Sequence, residues 1–296
     1  MKQQITSNIF NTALFFEGGS TRAAYTSAVA TCFLQQGVYF DMVYGISAGS
    51  SNLVNYLSRD IWRTTESFTG FIGDPNVGNV KSFLRHQGLF NVEYIYGDVS
   101  GPEGSIPFDF ETFFGNPAKF CIVSFDRDTG EDLYFTRENV KTDEQLMACV
   151  RASSTLPVIM PPPTIDGHVC YDGGFATGGG LPLKRIEEDG YKRVVVIRTR
   201  PRGYRKEESY DVAERMFWHR PHMREAIATR SARYNESCDL LDQWEADGRA
   251  YVFYPDDLTL TGTERDVNLL RKNFNHGFQQ ISKELPAILE YVQAGE

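Results

Sequence analysis

The first sixty residues contain two short apolar runs, and each ends in a glycine turn that opens a helical pattern. Thr12–Phe16 runs into Glu17-Gly18-Gly19, and Asp41-Met-Val-Tyr44 runs into Gly45-Ile46-Ser47-Ala48-Gly49. Apolar runs this short, closed by turn residues, suit buried strands. Residues 21–36 place Ala24, Ala28 and Cys32 on one stripe with Gly37 as a stop, and residues 50–58 repeat helical spacing through Leu53, Val54 and Leu57. Strand, helix, strand, helix at this pace implies crossovers between parallel strands. The expected fold is an α/β three-layer sandwich, with a mainly parallel central sheet and helices on both faces.

Later segments fit that frame. Residues 119–125 and 193–198 read as buried strands, with Leu133-Tyr-Phe135 pairing beside the first. Residues 143–152 read as a helix capped by Thr142. Pro161-Pro162-Pro163 forces residues 158–163 into an extended or irregular path. Val169-Cys-Tyr171 leads into Asp172-Gly173-Gly174, and the chain from 211 to 296 is mainly helical with one strand at 250–254. Residues 61–117 form a Phe-rich insertion that includes Phe83, Leu84, Leu89, Phe90, Phe108, Phe110, Phe113 and Phe114. It reads either as core packing or as a lid or acyl channel. Without repeats or a linker, the expectation is one domain over 1–296.

Charge and cysteine usage narrow the partners. The 296 residues carry a formal charge of −9, which argues against nucleic acid. Charge is uneven: residues 184–233 hold 14 basic against 8 acidic residues, densest from Arg198 to Lys206. That segment suits either contact with an anionic lipid surface or a solvated loop paired with nearby acids. The five cysteines are widely spaced and lack a CxxC pair, so reduced thiols in a cytoplasmic protein are expected, without a zinc site. No run of 18 apolar residues exists, so any membrane contact is expected at the inner surface, through side chains.

Three constellations carry chemistry. Gly45-Ile46-Ser47-Ala48-Gly49 matches GxSxG between a strand and a helix, a setting that lifts a serine hydroxyl above the sheet edge in a strained turn. The alternative is a buried serine cap at an ordinary strand–helix junction. Glu17-Gly18-Gly19-Ser20-Thr21-Arg22 opens the first helix and offers backbone N–H groups beside Ser47, as an oxyanion hole would, or it merely turns the chain. Asp172-Gly173-Gly174 ends a strand and reads as a turn or as a site. A nucleophilic serine needs a base. Of the histidines, His86, His168, His219, His222 and His276, only His168 falls near a strand end. No His, Cys or carboxylate cluster has metal spacing, and no cofactor is implied.

Taken together, the glycine loop with Arg22, GxSxG and DGG resemble the signature of the patatin-like phospholipases, most closely their bacterial branch. The blocks Tyr39–Gly49, Arg151–Pro157 and Arg193–Lys206 look like that branch's sequence. The resemblance implies a serine acyl-ester hydrolase with a Ser47–Asp172 dyad and no histidine. It implies an oxyanion hole from Gly18, Gly19 and Ser20, a loop held in shape by Arg22, and Gly45, Gly49, Gly173 and Gly174 as motif glycines. The implied substrate is a fatty-acyl ester of a phospholipid or lysophospholipid. A general carboxylesterase or acyltransferase on the same dyad, or a weakly catalytic lipid-binding protein, are the alternatives. The chain departs from the family pattern in Ser20 and Ala23, which stand where glycines are usual, and in Phe175-Ala-Thr-Gly-Gly-Gly-Leu-Pro182 after DGG. Ser20 leaves the hole intact provided its backbone does not need a positive φ.

Overall fold

The computed structural model describes residues 5–78, 91–207 and 212–295. At its centre lies β1 (Thr12–Phe16), all five residues of which are buried. β1 pairs in parallel with β2 (Met42–Ile46) and β7 (Arg193–Ile197). β2 pairs in parallel with β3 (Lys119–Asp126), and β7 with β8 (Ala250–Phe253). β4 (Asp132–Thr136) and β6 (His168–Asp172) both run antiparallel to β3, and β6 forms a hairpin with β5 (Thr164–Ile165). The sheet is therefore mostly parallel, as the spacing of strands and helices implied.

Alternation along the strands sends side chains to two separate cores. Leu14, Phe16, Val43 and Val195 point to one, and Ala13, Phe15, Tyr44 and Val196 to the other. The longer helices are α1 (Ala23–Gln35), α2 (Ala48–Leu57), α3 (Asp143–Ser154), α4 (Pro221–Ala228), α5 (Arg230–Ala246) and α6 (Val267–Gln293). α1, α2, α3 and α6 supply the first core, while Tyr234, Cys238, Leu241 and Trp244 of α5 supply the second. α3 begins with a full capping box between Thr142 and Gln145, worth ~1 kcal/mol.

α1 departs from a one-sided stripe: every residue except Gln35 is buried. The cause is α6, which covers the side facing away from the sheet. Gly277 of α6 passes so close to the Tyr25 carbonyl that any side chain there would collide. The C-terminal region is thus joined to the same core, with Phe253, Ile281, Ile288 and Val292 in the cluster that holds Leu14 and Phe16. In the insertion, Phe108 and Phe113 are buried in that core, and Phe110 and Phe114 pack against it. Phe83, Leu84, Leu89 and Phe90 lie outside the described residues. All five cysteines are buried and unpaired. Among the described residues, no helix is long and apolar enough to cross a membrane.

Candidate active site

One strand brings the two motif residues together. β4 occupies one edge of β3 from Cys121 to Phe125, so β2 and β6 must share the other edge. β2 uses it up to Ile46 opposite Val123, and β6 takes over with Asp172 opposite Ser124. Ser47, the next residue after β2, therefore meets the end of β6 head-on. Both residues line one cavity, and the Ser47 side chain is near enough to the Asp172 carboxylate to draw its pKa down.

The turn at Ser47 is strained. Its φ of 56° and ψ of −130° lie where non-glycine residues cost ~1–3 kcal/mol. Surrounding contacts enforce this. The Ser47 N–H donates to Ser153 Oγ at 2.9 Å, and Ser153 donates on to the Val123 carbonyl at 2.6 Å. Gly49 lies against the Phe16 carbonyl with no room for a Cβ, and a Cβ on Gly18 would stand 2.8 Å from the Ser47 Cβ. The N-terminus of α2 lies directly after Ser47, adding positive potential near the hydroxyl.

Asp172 is buried, and its Oδ1 accepts from the Gly174 N–H at 2.7 Å. Burial holds its carboxyl above the ordinary carboxylate range. Arg230, the Ser47 side chain, the Gly174 N–H and Lys206 pull the other way without overcoming it. The short helical turn that carries Gly173 and Gly174 is clamped from α5. Arg230 Nε donates to the Gly174 carbonyl at 3.2 Å, and Arg233 donates to that of Phe175 at 2.8 Å. The glycine-rich departure after DGG has a steric reason here: Gly179, at φ 60°, runs against the Tyr234 backbone too closely for a side chain.

Gly18, Gly19 and Ser20 line the cavity beside Ser47, and their N–H groups meet no acceptor among the described residues. Ser20 has φ 52°, so the backbone does take the left-handed conformation that glycine would favour. Support for the loop comes from behind. Thr199 Oγ1 donates to the Gly18 carbonyl at 2.6 Å, and the Thr199 N–H donates to Glu17 Oε2 at 2.7 Å. Glu17 also accepts from Arg198 Nε at 2.9 Å and from the Tyr234 hydroxyl at 2.7 Å. Burial pushes the Glu17 carboxyl up, but Arg198, Thr199 and Tyr234 together hold it below its usual value. Among the described residues Arg22 makes no side-chain hydrogen bond to the loop; it lines the cavity instead, and its buried Nε has no partner there.

Two cavities meet at Ser47. One, of about 150 Å³, is walled mainly by apolar side chains, among them Val54, Phe68, Phe71, Ile95, Ile106 and Met147. The other, of about 320 Å³, holds Asp172 together with Arg22, Arg200, Lys206 and Arg230. Ser20, Ser47 and Leu156 belong to both. No described histidine lines either one. His168 is bonded to Asp126 at 2.5 Å, and His276 lies 2.8 Å from Asp257; His86 is outside the described residues. Among the described residues no cluster of three His, Cys, Asp or Glu is placed to hold a metal.

The basic segment divides. Arg198, Arg202 and Arg205 pair with Glu17, Glu245 and the Asp239–Asp242 pair, whereas Arg200 and Lys206 face the cavity. Sequence reasoning missed Ser153, Thr199, Tyr234 and Arg230. Ser153 and Thr199 had a signal, since they lie in the blocks Arg151–Pro157 and Arg193–Lys206; Tyr234 and Arg230 act across the fold and left none.

A family model described as patatin-like phospholipase matches residues 14–182, and a second, a domain of unknown function (DUF6363), matches residues 220–293. The crystal structure of VipD from Legionella pneumophila is similar in fold, with TM-score 0.50 and 11% identity over 93% of this chain and 67% of that one. A search of curated proteins found no match.

Proposed function

The chain belongs to the patatin-like phospholipase family, a family of lipid hydrolases, and from that premise we propose that Ser47 and Asp172 form a catalytic dyad that cleaves fatty-acyl esters of phospholipids or lysophospholipids. The reading rests on one observation: Ser47, at the point where an apolar and a cationic cavity meet, stands beside the buried Asp172 carboxylate. As Ser47 Oγ attacks the ester carbon, its proton passes to Asp172. The carbonyl oxygen gains the negative charge and takes hydrogen bonds from the N–H groups of Gly18, Gly19 and Ser20. Collapse expels the alcohol, which leaves with the proton held by Asp172, and an acyl-Ser47 ester remains. Water then gives a proton to Asp172 as it attacks that ester, and collapse expels Ser47 Oγ, which takes the proton back from Asp172 as the fatty acid leaves.

Burial of Asp172 suits this role, because a raised carboxyl pKa makes the carboxylate a stronger base than one in water. The apolar cavity matches a cavity size that takes a benzene-sized ligand, room for the first part of an acyl chain. A fluorophosphonate probe tests the nucleophile. Wild type is expected to label and Ser47→Ala to stay unlabelled while folded; labelling of both at equal rate rejects Ser47. Loss of turnover on replacing any single histidine, as complete as in Asp172→Asn, would favour a triad.

A further inference from the structure

Three cations enter the cavity beside Ser47 from outside the stretch of chain that the patatin-like model matches. Arg200 and Lys206 follow β7, and Arg230 opens α5. Arg22 joins them from the first helical turn. Of the acids nearby, Asp172 lines the same cavity within Coulombic reach of Arg230 and Lys206, and the others are already used. Glu245, Asp239 and Asp242 pair with the neighbouring Arg202 and Arg205, and Glu17 with Arg198. Among the described residues, none of the four cations has a carboxylate ion pair. Among these residues Lys206 Nζ reaches the Gly179 carbonyl at 3.4 Å and the Tyr234 ring at 3.8 Å, and Arg200 lies over the Tyr204 ring at 4.2 Å.

Four cations against the Asp172 carboxylate and the already paired Glu17 leave the cavity short of negative charge. Burial, then Arg230, hold the Lys206 ammonium down to about 7, against the favourable pull of Glu17 and Asp172. Burial and Arg200 likewise lower Arg22. Such a pocket lacks an anion that accepts several charge-assisted hydrogen bonds at once, as a phosphate does.

We propose that this cavity is a phosphate subsite, which selects acyl esters whose headgroup is an anionic phosphate with no cation beyond it. The inference rests on the hydrolase reading above. With the ester carbon at Ser47, the acyl chain enters the apolar cavity while the phosphate, a few bonds away on the glycerol, turns into the cationic one. A quaternary ammonium beyond the phosphate is disfavoured here. It would meet the same cations, and the Tyr234 ring face it would seek is covered by Lys206. Arg230 gives the matched region 220–293 a part in substrate choice.

The test compares dihexanoyl phosphatidic acid, dihexanoyl phosphatidylcholine and p-nitrophenyl butyrate as dissolved monomers, so that surface charge plays no part. In wild type, kcat/KM is expected to be at least tenfold higher for phosphatidic acid than for phosphatidylcholine. Arg200→Gln and Lys206→Gln should each reduce that ratio at least tenfold, mainly through KM, and Arg200→Lys should restore most of it. Glycerol 3-phosphate and inorganic phosphate should compete with p-nitrophenyl butyrate in wild type and more weakly in both glutamine variants. Equal wild-type rates on the two lipids, or a ratio unmoved in the folded variants, overturns the subsite. Activation by inorganic phosphate without competition also overturns it, by assigning the cavity to a free anion. Failure to hydrolyse any of the three esters is a different result, and counts against the hydrolase reading itself.

Discussion

The two cavities that meet at Ser47 differ in lining and in origin. Every described wall residue of the apolar cavity lies between Ser20 and Leu156, inside the matched patatin-like stretch. The cationic cavity draws Arg200, Lys206, Arg230, Tyr234, Gly262 and Thr263 from beyond residue 182. One side of Ser47 is thus built wholly from the stretch that carries the family motifs, and the other from that same stretch joined by residues of the remaining chain. On the proposed reading, acyl binding is then separable from whatever Arg200, Lys206 and Arg230 recognise in the second cavity. A variant on one side should leave the other side's discrimination standing.

The largest effect should fall on the point the two sides share. Ser47→Ala and Asp172→Asn are each expected to lower kcat on every acyl ester by about 10³-fold or more, with unchanged thermal melting. Loss confined to one substrate class would mean that the chemistry is not centred there. Val54→Phe narrows the apolar cavity alone. It should cut kcat/KM for long-chain esters roughly tenfold or more relative to short ones, at an overpacking cost of ~1–3 kcal/mol seen in the melt. An equal loss at all chain lengths would break the assignment of that cavity to the acyl group.

Next in size is a pH effect that links the two sides. Asp172 must be ionised to accept the proton, and burial raises its pKa. The acid limb of kcat/KM should therefore lie above the ordinary carboxylate value near 4. Arg230 opposes that rise, so Arg230→Gln should move the limb to still higher pH. A limb that stays put or moves down would uncouple the cationic wall from the carboxylate. The smallest effect concerns the loop. Ser20→Gly relieves a left-handed serine at φ 52° and offsets this with greater unfolded-state freedom. A net gain of up to ~1 kcal/mol is expected, read as a rise of about 2–4 °C in Tm.

Local patterns made much of the frame legible. Thr12–Phe16 and Met42–Ile46 announced themselves by short apolar runs ending in glycine, and Thr142 by its capping position. What the sequence could not convey depends on long-range register. Nothing local says that β6 follows β2 along one edge of β3, which is what brings position 172 to position 47. The burial of α1 on all sides was hidden for the same reason, since Gly277 lies far along the chain from Tyr25. The basic segment read either as contact with an anionic lipid surface or as a solvated loop paired with nearby acids. Only the fold separates Arg198, Arg202 and Arg205, held by acids, from Arg200 and Lys206, which are not.

Because β2 and β6 abut on a single neighbouring strand, the strand ends that carry Ser47 and Asp172 are set by adjacent residues of β3, Val123 opposite Ile46 and Ser124 opposite Asp172, a step of roughly 3.3 Å. Arg230 and Lys206 have no such ruler; they ride on a helix start and a connecting loop. Mild heat or denaturant should accordingly blur this enzyme's choice of lipid before it slows proton transfer, so that the protein becomes indiscriminate before it becomes inert.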